Sequence, residues 1–108
     1  MKKMISIMLF LLSAFSFAEA EKSSPYVVIE RLYPFDRGLI FYTSYADTQV
    51  SSCDSGKRFA VLLTHENYQV KASMLMAAFM AGKKISFRYD ANHRRSCEVP
   101  ISRFLVNK

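Results

Sequence analysis

Residues 57–89 read KRFAVLLTHENYQVKASMLMAAFMAGKKISFRY, and within them the apolar period changes from strand to helix and back. The run KRFAVLL (57–63) is typical of a strand. Apolar residues then recur at helical spacing, with Thr64 expected to cap the helix and Gly82 to end it. The run ISFRY (85–89) follows at once and predicts another strand. This stretch therefore predicts a helix between two strands.

Three further strands are predicted outside this stretch, namely YVVIERLY (26–33), LIFYTSY (39–45) and VPISRFLV (99–106). Residues 34–38 (PFDRG) supply a turn, with proline early and glycine late. Five strands with one helix between strands 3 and 4 is the order of an OB-fold, a small partly open Greek-key barrel. Other α+β arrangements share this order. We predict an α+β, mostly β domain, built as a five-stranded OB-fold-like barrel.

The first twenty residues differ from the rest of the chain. Lys2 and Lys3 precede an apolar run from Met4 to Phe17, and Ala18-Glu19-Ala20 offers small residues for cleavage, with an alternative cut after Ala18. A retained anchor is the competing interpretation, but the run is shorter than the roughly 20 residues that cross a bilayer. We predict a signal peptide at 1–20, a single domain at 21–108 without a membrane anchor, and a periplasmic or secreted location.

Two cysteines, Cys53 and Cys97, follow the predicted signal peptide. An exported chain meets an oxidising compartment, where such a pair usually forms a disulfide. Closing this loop would stabilise the domain by roughly 4 kcal/mol in the chain-entropy model. A metal site is the alternative, but neither of the two histidines, His65 and His93, belongs to a compact Cys-x-x-Cys or His-x-x-x-His arrangement. We predict the disulfide, no metal and no cofactor.

The positive charge of the exported part has two interpretations, an anionic partner or solubility alone. Without Lys2, Lys3 and Glu19, the 15 basic and 9 acidic residues of the chain fall to a net charge of +5. Such an excess favours lipid headgroups, acidic glycans or nucleic acid. The competing interpretation is that the charge only keeps the protein soluble.

Aromatic and cationic side chains are combined on the predicted strands and in the loop after strand 4. Aromatic rings stack on sugars or bases, and arginine holds acidic groups through paired hydrogen bonds. The competing interpretation places the tyrosines in the core and the arginines at its rim. The predicted ligand-binding residues are Arg31, Tyr33, Tyr42, Arg88, Tyr89, His93, Arg94 and Arg95.

The layout of residues 26–106 resembles the binding subunits of pertussis-like and subtilase-type bacterial toxins. The resemblance is carried by GLIFYTSY (38–45) leading to Cys53, by ENYQVKASMLMAAFMAGK (66–83), and by KKISFRY (83–89). At the level of individual residues, the resemblance is limited to about residues 75–89. Those subunits are exported OB-folds that assemble as pentameric rings. The resemblance implies a glycan ligand and assembly as a homo-oligomer or with a partner subunit.

Motifs that would indicate catalysis are missing from the sequence. The serines lack a Gly-x-Ser-x-Gly setting, and the glycines of the exported part stand alone. We therefore expect a binding protein rather than an enzyme. Its ligand would be an acidic glycan or another anion. The alternative is an envelope adaptor that docks a partner through its helix, whose methionines widen the apolar band. An exported nucleic-acid binder is the weakest hypothesis because of the compartment.

Overall fold

The protein is described by a computed structural model that covers residues 20–108. This range contains eight short strands, one α-helix and one 3₁₀ turn, Asp54–Gly56. In chain order they are β1 (Glu21–Ser23), β2 (Val27–Val28), β3 (Arg31–Phe35), β4 (Gly38–Tyr42), β5 (Phe59–Leu62), α1 (Tyr68–Ala81), β6 (Lys84–Asp90), β7 (Val99–Pro100) and β8 (Arg103–Val106). The predicted class, α+β and mostly β, is confirmed. The predicted signal peptide lies outside the described residues, apart from Ala20.

The strands form two four-stranded sheets. In sheet A the central strand β6 carries β1 and β2 along one edge and β8 along the other, all antiparallel. Sheet B has the order β3–β4–β5–β7, in which only the pair β5–β7 is parallel. Within residues 20–108 the two sheets do not close into one barrel. The molecule is therefore a two-sheet domain with one helix.

Two continuous stretches of chain pass from one sheet to the other. β2 leads through residues 29–30 into β3, and the amide of residue 30 bonds to a β4 carbonyl at 2.7 Å. β7 leads through residues 101–102 into β8, and their amides bond to β5 and β6 at 2.9 and 2.8 Å. A strand that bends between two sheets interrupts its regular ladder at the bend. The predicted strands 26–33 and 99–106 are consequently each observed as two shorter strands.

The turn between β3 and β4 is tighter than predicted. Pro34 and Phe35 belong to β3, and Gly38 already belongs to β4, so residues 36–37 alone form the connection. Proline is tolerated there because β3 is the edge strand of sheet B. A Cβ at Gly38 would clash with the carbonyl oxygen of Val61. Glycine therefore allows β4 to approach β5 closely at this point.

The helix starts four residues later than the predicted cap. Asn67, with φ of 58°, precedes the first helical residue, Tyr68. The predicted cap Thr64 lies instead in a turn, which is closed by a 3.0 Å hydrogen bond from the His65 amide to the Leu62 carbonyl. The end of the helix is as predicted, because Gly82 takes the left-handed conformation and its amide bonds back to the last turn.

The core lies between the sheets and is dominated by aromatic rings. Phe41, Phe59, Phe87 and Tyr89 are completely buried, and the rings of Phe59 and Phe87 lie 4.7 Å apart. One side of α1 adds the buried residues Ala72, Leu75 and Ala78. Aromatic rings bury a large area per residue, which a domain of this size needs. The inner faces of the two sheets are therefore fully used, and any ligand must bind on an outer face or in a loop.

Candidate functional site

The eight predicted site residues are distributed over three parts of the molecule. Strand β3 supplies Arg31 and Tyr33, and β4 supplies Tyr42, all on the outer face of sheet B. Arg88 lies on sheet A, Tyr89 lies in the core, and His93, Arg94 and Arg95 lie in the loop between β6 and β7. Only the first three form a shared surface.

Strand alternation explains why Tyr42 reaches the surface. Successive side chains point to opposite faces of a sheet, and Phe41 occupies the core. Tyr42 therefore points outward, directly opposite Arg31, while Tyr33 lies opposite Ile40 on the same face. The rings of Tyr33 and Tyr42 meet edge to face, with centroids 6.0 Å apart.

The hydroxyl of Tyr42 is the centre of a hydrogen-bond network. It donates to Oδ2 of Asp54 at 2.5 Å and accepts from Nε of Arg58 at 2.9 Å. The hydroxyl of Tyr33 lies 3.1 Å away and acts as a further donor, since the Tyr42 proton is already used. We call Arg31, Tyr33, Tyr42, Asp54 and Arg58 the tyrosine platform.

Two pKa shifts follow from this network. Partial burial, followed by the hydrogen bond to Asp54, raises the pKa of Tyr42 above its ordinary value. Hydrogen bonds from Tyr42 and then from Arg58 lower the pKa of Asp54. At neutral pH the platform therefore holds a neutral phenol and an ionised carboxylate, so Asp54 acts as a hydrogen-bond acceptor.

The disulfide between Cys53 and Cys97 is present, as predicted, and it forms one border of the tyrosine platform. Nη2 of Arg58 lies 2.6 Å from Oδ2 of Asp54, and Nη1 lies 3.6 Å from Oε1 of Glu98. Nη1 also lies 3.1 Å from Sγ of Cys97. Each carboxylate directly follows a cysteine in the chain. The disulfide therefore brings both acidic residues to Arg58.

Arg31 is the exposed cation of the platform. Its guanidinium carbon lies 5.5 Å from the centre of the Tyr42 ring, within the range of a cation–π contact. Among residues 20–108 its side chain has no hydrogen-bond or ion-pair partner. The guanidinium therefore lies over the ring in an exposed position, where an anion can reach it.

The sequence motifs did not indicate Asp54 and Arg58 as site residues, nor Glu98 and Arg37, which form a 3.0 Å ion pair beside the platform. Neither acidic residue belongs to an aromatic or basic cluster in the sequence, and Arg58 lies in the run KRF (57–59), which indicates only the start of a strand. The available signal was the position of both acids immediately after the disulfide-forming cysteines. A crosslink between two loops also joins the residues next to it.

Arg88 lies apart from the tyrosine platform, on the outer face of sheet A opposite Arg103. Both arginines share Glu21, whose Oε1 is 3.8 Å from Nη1 of Arg88 and 3.0 Å from Nη2 of Arg103. Nε of Arg88 is buried and has no hydrogen-bond partner within the described part of the chain. Glu21 offsets part of the positive charge at this position.

The loop between β6 and β7 holds the other predicted cations. Arg95 is tied back by a 2.8 Å hydrogen bond from its Nε to the Thr48 carbonyl, and His93 is half-buried. Arg94 is exposed. Across residues 20–108, no hydrogen bond or ion pair joins these three side chains to the tyrosine platform. The loop and the platform are therefore separate groups of cations.

Tyr89 lies in the core and is completely buried. Its hydroxyl donates to Oδ2 of Asp47 at 2.6 Å and also contacts the Tyr45 hydroxyl. Burial, followed by the bond to Asp47, raises the pKa of Tyr89. Burial by itself would raise the pKa of Asp47, but the hydrogen bonds from Tyr89 and the Gln49 amide, together with Lys22, bring it below its ordinary value. Tyr89 cannot contact a ligand at the surface.

The described residues contain no group of three or more His, Cys, Asp or Glu side chains that could hold a metal ion. No helix within residues 20–108 is both long enough and apolar enough to cross a membrane. Comparison with known proteins found no matching family model and no matching curated protein.

Proposed function

We propose that this protein is an exported, non-catalytic binding domain that recognises an acidic glycan on the tyrosine platform. The single observation that carries the proposal is the arrangement of Arg31, which is exposed, lies over the Tyr42 ring and has no hydrogen-bond or ion-pair partner among residues 20–108. A guanidinium held in this way suits a carboxylate, because it can donate two parallel hydrogen bonds.

The remaining platform residues suit the neutral parts of a sugar. The faces and edges of Tyr33 and Tyr42 offer apolar contact to the C–H groups of a pyranose ring. The side chain of Asp54 is 42% exposed and can accept hydrogen bonds from sugar hydroxyls. An anion, a ring and several hydroxyls together are the features of an acidic glycan.

The pairing order of the strands supports an OB-fold-like architecture for this binding domain. β1–β3 act as one bent strand shared by both sheets, and β7–β8 act as another. With these combined, five strands pair in the order of a partly open barrel, including the parallel contact between β5 and β7. OB-folds bind oligosaccharides on the face of their second and third strands. In this domain the corresponding strands are β4, which ends with Tyr42, and β5, which begins directly after Arg58.

A binding role without catalysis is supported by the state of the acidic residues. Glycoside cleavage needs a carboxylic acid that stays protonated near neutral pH. Asp54 is held ionised by Tyr42 and Arg58, and Glu98 pairs with Arg37 and Arg58. Neither group suits general acid catalysis. A periplasmic or secreted location is supported by the Cys53–Cys97 disulfide.

The proposal is tested by calorimetric titration of uronic-acid or sialic-acid oligosaccharides, with neutral oligosaccharides of equal length as the ligand control. Arg31→Ala should weaken binding of the acidic ligands at least about tenfold, the effect of losing one charge-assisted contact. Arg94→Ala is the matched control, because Arg94 is an exposed arginine outside the platform. Loss of binding in Arg94→Ala but not in Arg31→Ala would place the site in the loop, and equal binding of neutral sugars would refute acidic recognition.

A further inference from the structure

Helix α1 is apolar on both of its sides. Ala72, Leu75 and Ala78 are buried against the sheets. The opposite side carries Val70, Met74, Met76, Ala77 and Met80, all exposed, and we call these five residues the methionine face. Only two polar side chains, Gln69 and Ser73, share this exposed side, and neither is charged. A helix that is apolar all round normally contacts a second apolar medium.

The exposure of the methionine face is large. On the side of α1 that faces solvent, Met80 is 83% exposed, Val70 is 59% exposed and Met74 is 48% exposed. A groove of about 280 Å³ separates this face from β8, and it is lined by Met74, Ala77, Ala81 and Val106. The apolar surface therefore continues from the helix onto the last strand.

Lysines surround one end of this apolar surface. Lys83 lines the groove, and Lys84 follows it at the start of β6. Nζ of Lys83 lies 3.4 Å from the carbonyl oxygen of Lys108, which brings a third lysine to the same end. Within the described residues these three side chains form no ion pair. The sequence has no acidic residue between Asn67 and Tyr89, so no negative charge of this segment opposes them.

We infer that the methionine face and its lysines dock the protein onto the surface of an anionic lipid bilayer. The helix has 14 residues and lies parallel to the bilayer, because it is too short to span it. Met74, Met76 and Met80 enter the boundary between headgroups and acyl chains, as the apolar side chains of interfacial helices do. Lys83 and Lys84 remain at the level of the lipid phosphates, with their stems along the apolar surface.

Charge and hydrogen-bonding capacity favour a lipid surface over a protein partner. Protein interfaces carry about one hydrogen bond per 100–200 Å² and are depleted in lysine. The methionine face offers only Gln69 and Ser73 as polar side chains, and its border consists of lysines that form no ion pair with another side chain among residues 20–108. Anionic headgroups complement the charge of these lysines. Acyl chains form no hydrogen bonds, so they suit the apolar side chains at the centre of the methionine face. This binding is independent of the tyrosine platform.

The test is co-sedimentation with vesicles, using protein expressed as the full chain and purified in its exported, oxidised form. Vesicles of phosphatidylcholine with phosphatidylglycerol are compared with vesicles of phosphatidylcholine alone. We expect at least about tenfold stronger partitioning onto the anionic vesicles, and a fall in binding as salt rises. Met80→Asp and the double variant Lys83→Glu, Lys84→Glu should each reduce partitioning at least about tenfold, because a charge is placed in the lipid or the attraction is reversed.

Leu63→Asp is the matched control, because Leu63 is 55% exposed and lies outside the methionine face. It should bind as the unmodified protein does, and so should Arg31→Ala. Unfolding midpoints of all variants confirm folding, which Met80→Asp should retain given its 83% exposure. Absence of vesicle binding, equal binding to both vesicle types, or equal losses in Leu63→Asp and Met80→Asp would each overturn the inference. Light scattering that shows an oligomer dissociated by Met80→Asp would assign the face to a second copy of the chain instead.

Discussion

Two tyrosine–aspartate pairs make the same hydrogen bond in different surroundings. Tyr89 donates to Asp47 at 2.6 Å, and Tyr42 donates to Asp54 at 2.5 Å. Tyr89 is completely buried and Asp47 is 8% exposed, whereas the Asp54 side chain is 42% exposed. Both are phenol-to-carboxylate hydrogen bonds, but they differ in exposure and in their charged neighbour, which is Arg58 for Asp54 and Lys22 for Asp47.

The difference shows how burial decides what a hydrogen bond does. If one member of the buried pair is removed, the other keeps an unsatisfied polar group that water cannot reach. If one member of the exposed pair is removed, water replaces it at little cost. The pair of Tyr89 and Asp47 therefore stabilises the fold, while Tyr42 and Asp54 are able to exchange their hydrogen bonds with water.

The largest effect is expected from removing the covalent link beside the exposed pair. Replacing both Cys53 and Cys97 by serine should lower the free energy of unfolding by about 4 kcal/mol, because a loop of this length gains freedom when unfolded. Denaturant unfolding measures the loss. Treating the unmodified protein with reductant should reproduce it, and an unchanged midpoint in both samples would contradict the assigned role of the disulfide.

An effect of intermediate size on the free energy of unfolding should distinguish the buried tyrosine–aspartate pair from the exposed pair. Tyr89→Phe should lower the free energy of unfolding by roughly 1–3 kcal/mol, since the Asp47 carboxylate loses a buried donor. The matched variant Tyr42→Phe should leave unfolding unchanged and weaken glycan binding, because its partners can turn to water. Denaturant titration of both variants compares them under one condition. Equal losses of stability would show that exposure does not distinguish the pairs.

The smallest effect concerns pH. Asp47 and Asp54 both have pKa values below the ordinary range, so the stability that each contributes is present above about pH 4 and is lost as pH falls through the folded-state value. Unfolding is measured as a function of pH for Asp47→Asn and Asp54→Asn. Asp47→Asn should reduce the dependence of the free energy of unfolding on pH at acidic pH more than Asp54→Asn does, since solvent screens the interactions of the exposed Asp54. An equal reduction of the pH dependence in the two variants would contradict the larger contribution expected from Asp47.

The fold class could be predicted because it depends on periodicity. The switch from alternating to helical spacing between residues 57 and 89 predicted α1 and the strands beside it. Boundaries were less predictable, because they depend on neighbours that are distant in sequence. Pro34 is compatible with a strand only at a sheet edge, and the edge position of β3 is set by the other strands. The bends at residues 29–30 and 101–102 likewise arise from pairing with two sheets.

The site could be predicted only in part. Alternation within ISFRY (85–89) separates Arg88 from Tyr89, since neighbouring residues of a strand face opposite sides. Strand alternation therefore indicates from the sequence alone that Arg88 and Tyr89 lie on different surfaces. Asp54 and Arg58, by contrast, are joined by a turn beside a crosslink whose partner lies 44 residues away. The four-residue spacing of Asp54 and Arg58 is a local signal, but their approach to Tyr42 and Glu98 depends on strand pairing and on the disulfide, which a local pattern does not show.

The phenol groups of Tyr42 and Tyr89 also give the protein its own optical reporters. The chain contains no tryptophan, so tyrosine emission is not masked by energy transfer to an indole. A phenol bonded to a carboxylate emits differently from one bonded to water. Tyr42 faces the platform and Tyr89 lies in the core. With Tyr42 replaced by phenylalanine, the emission change on unfolding should be retained, while the change on addition of the proposed glycan should be reduced, so the two events could be followed without an added dye.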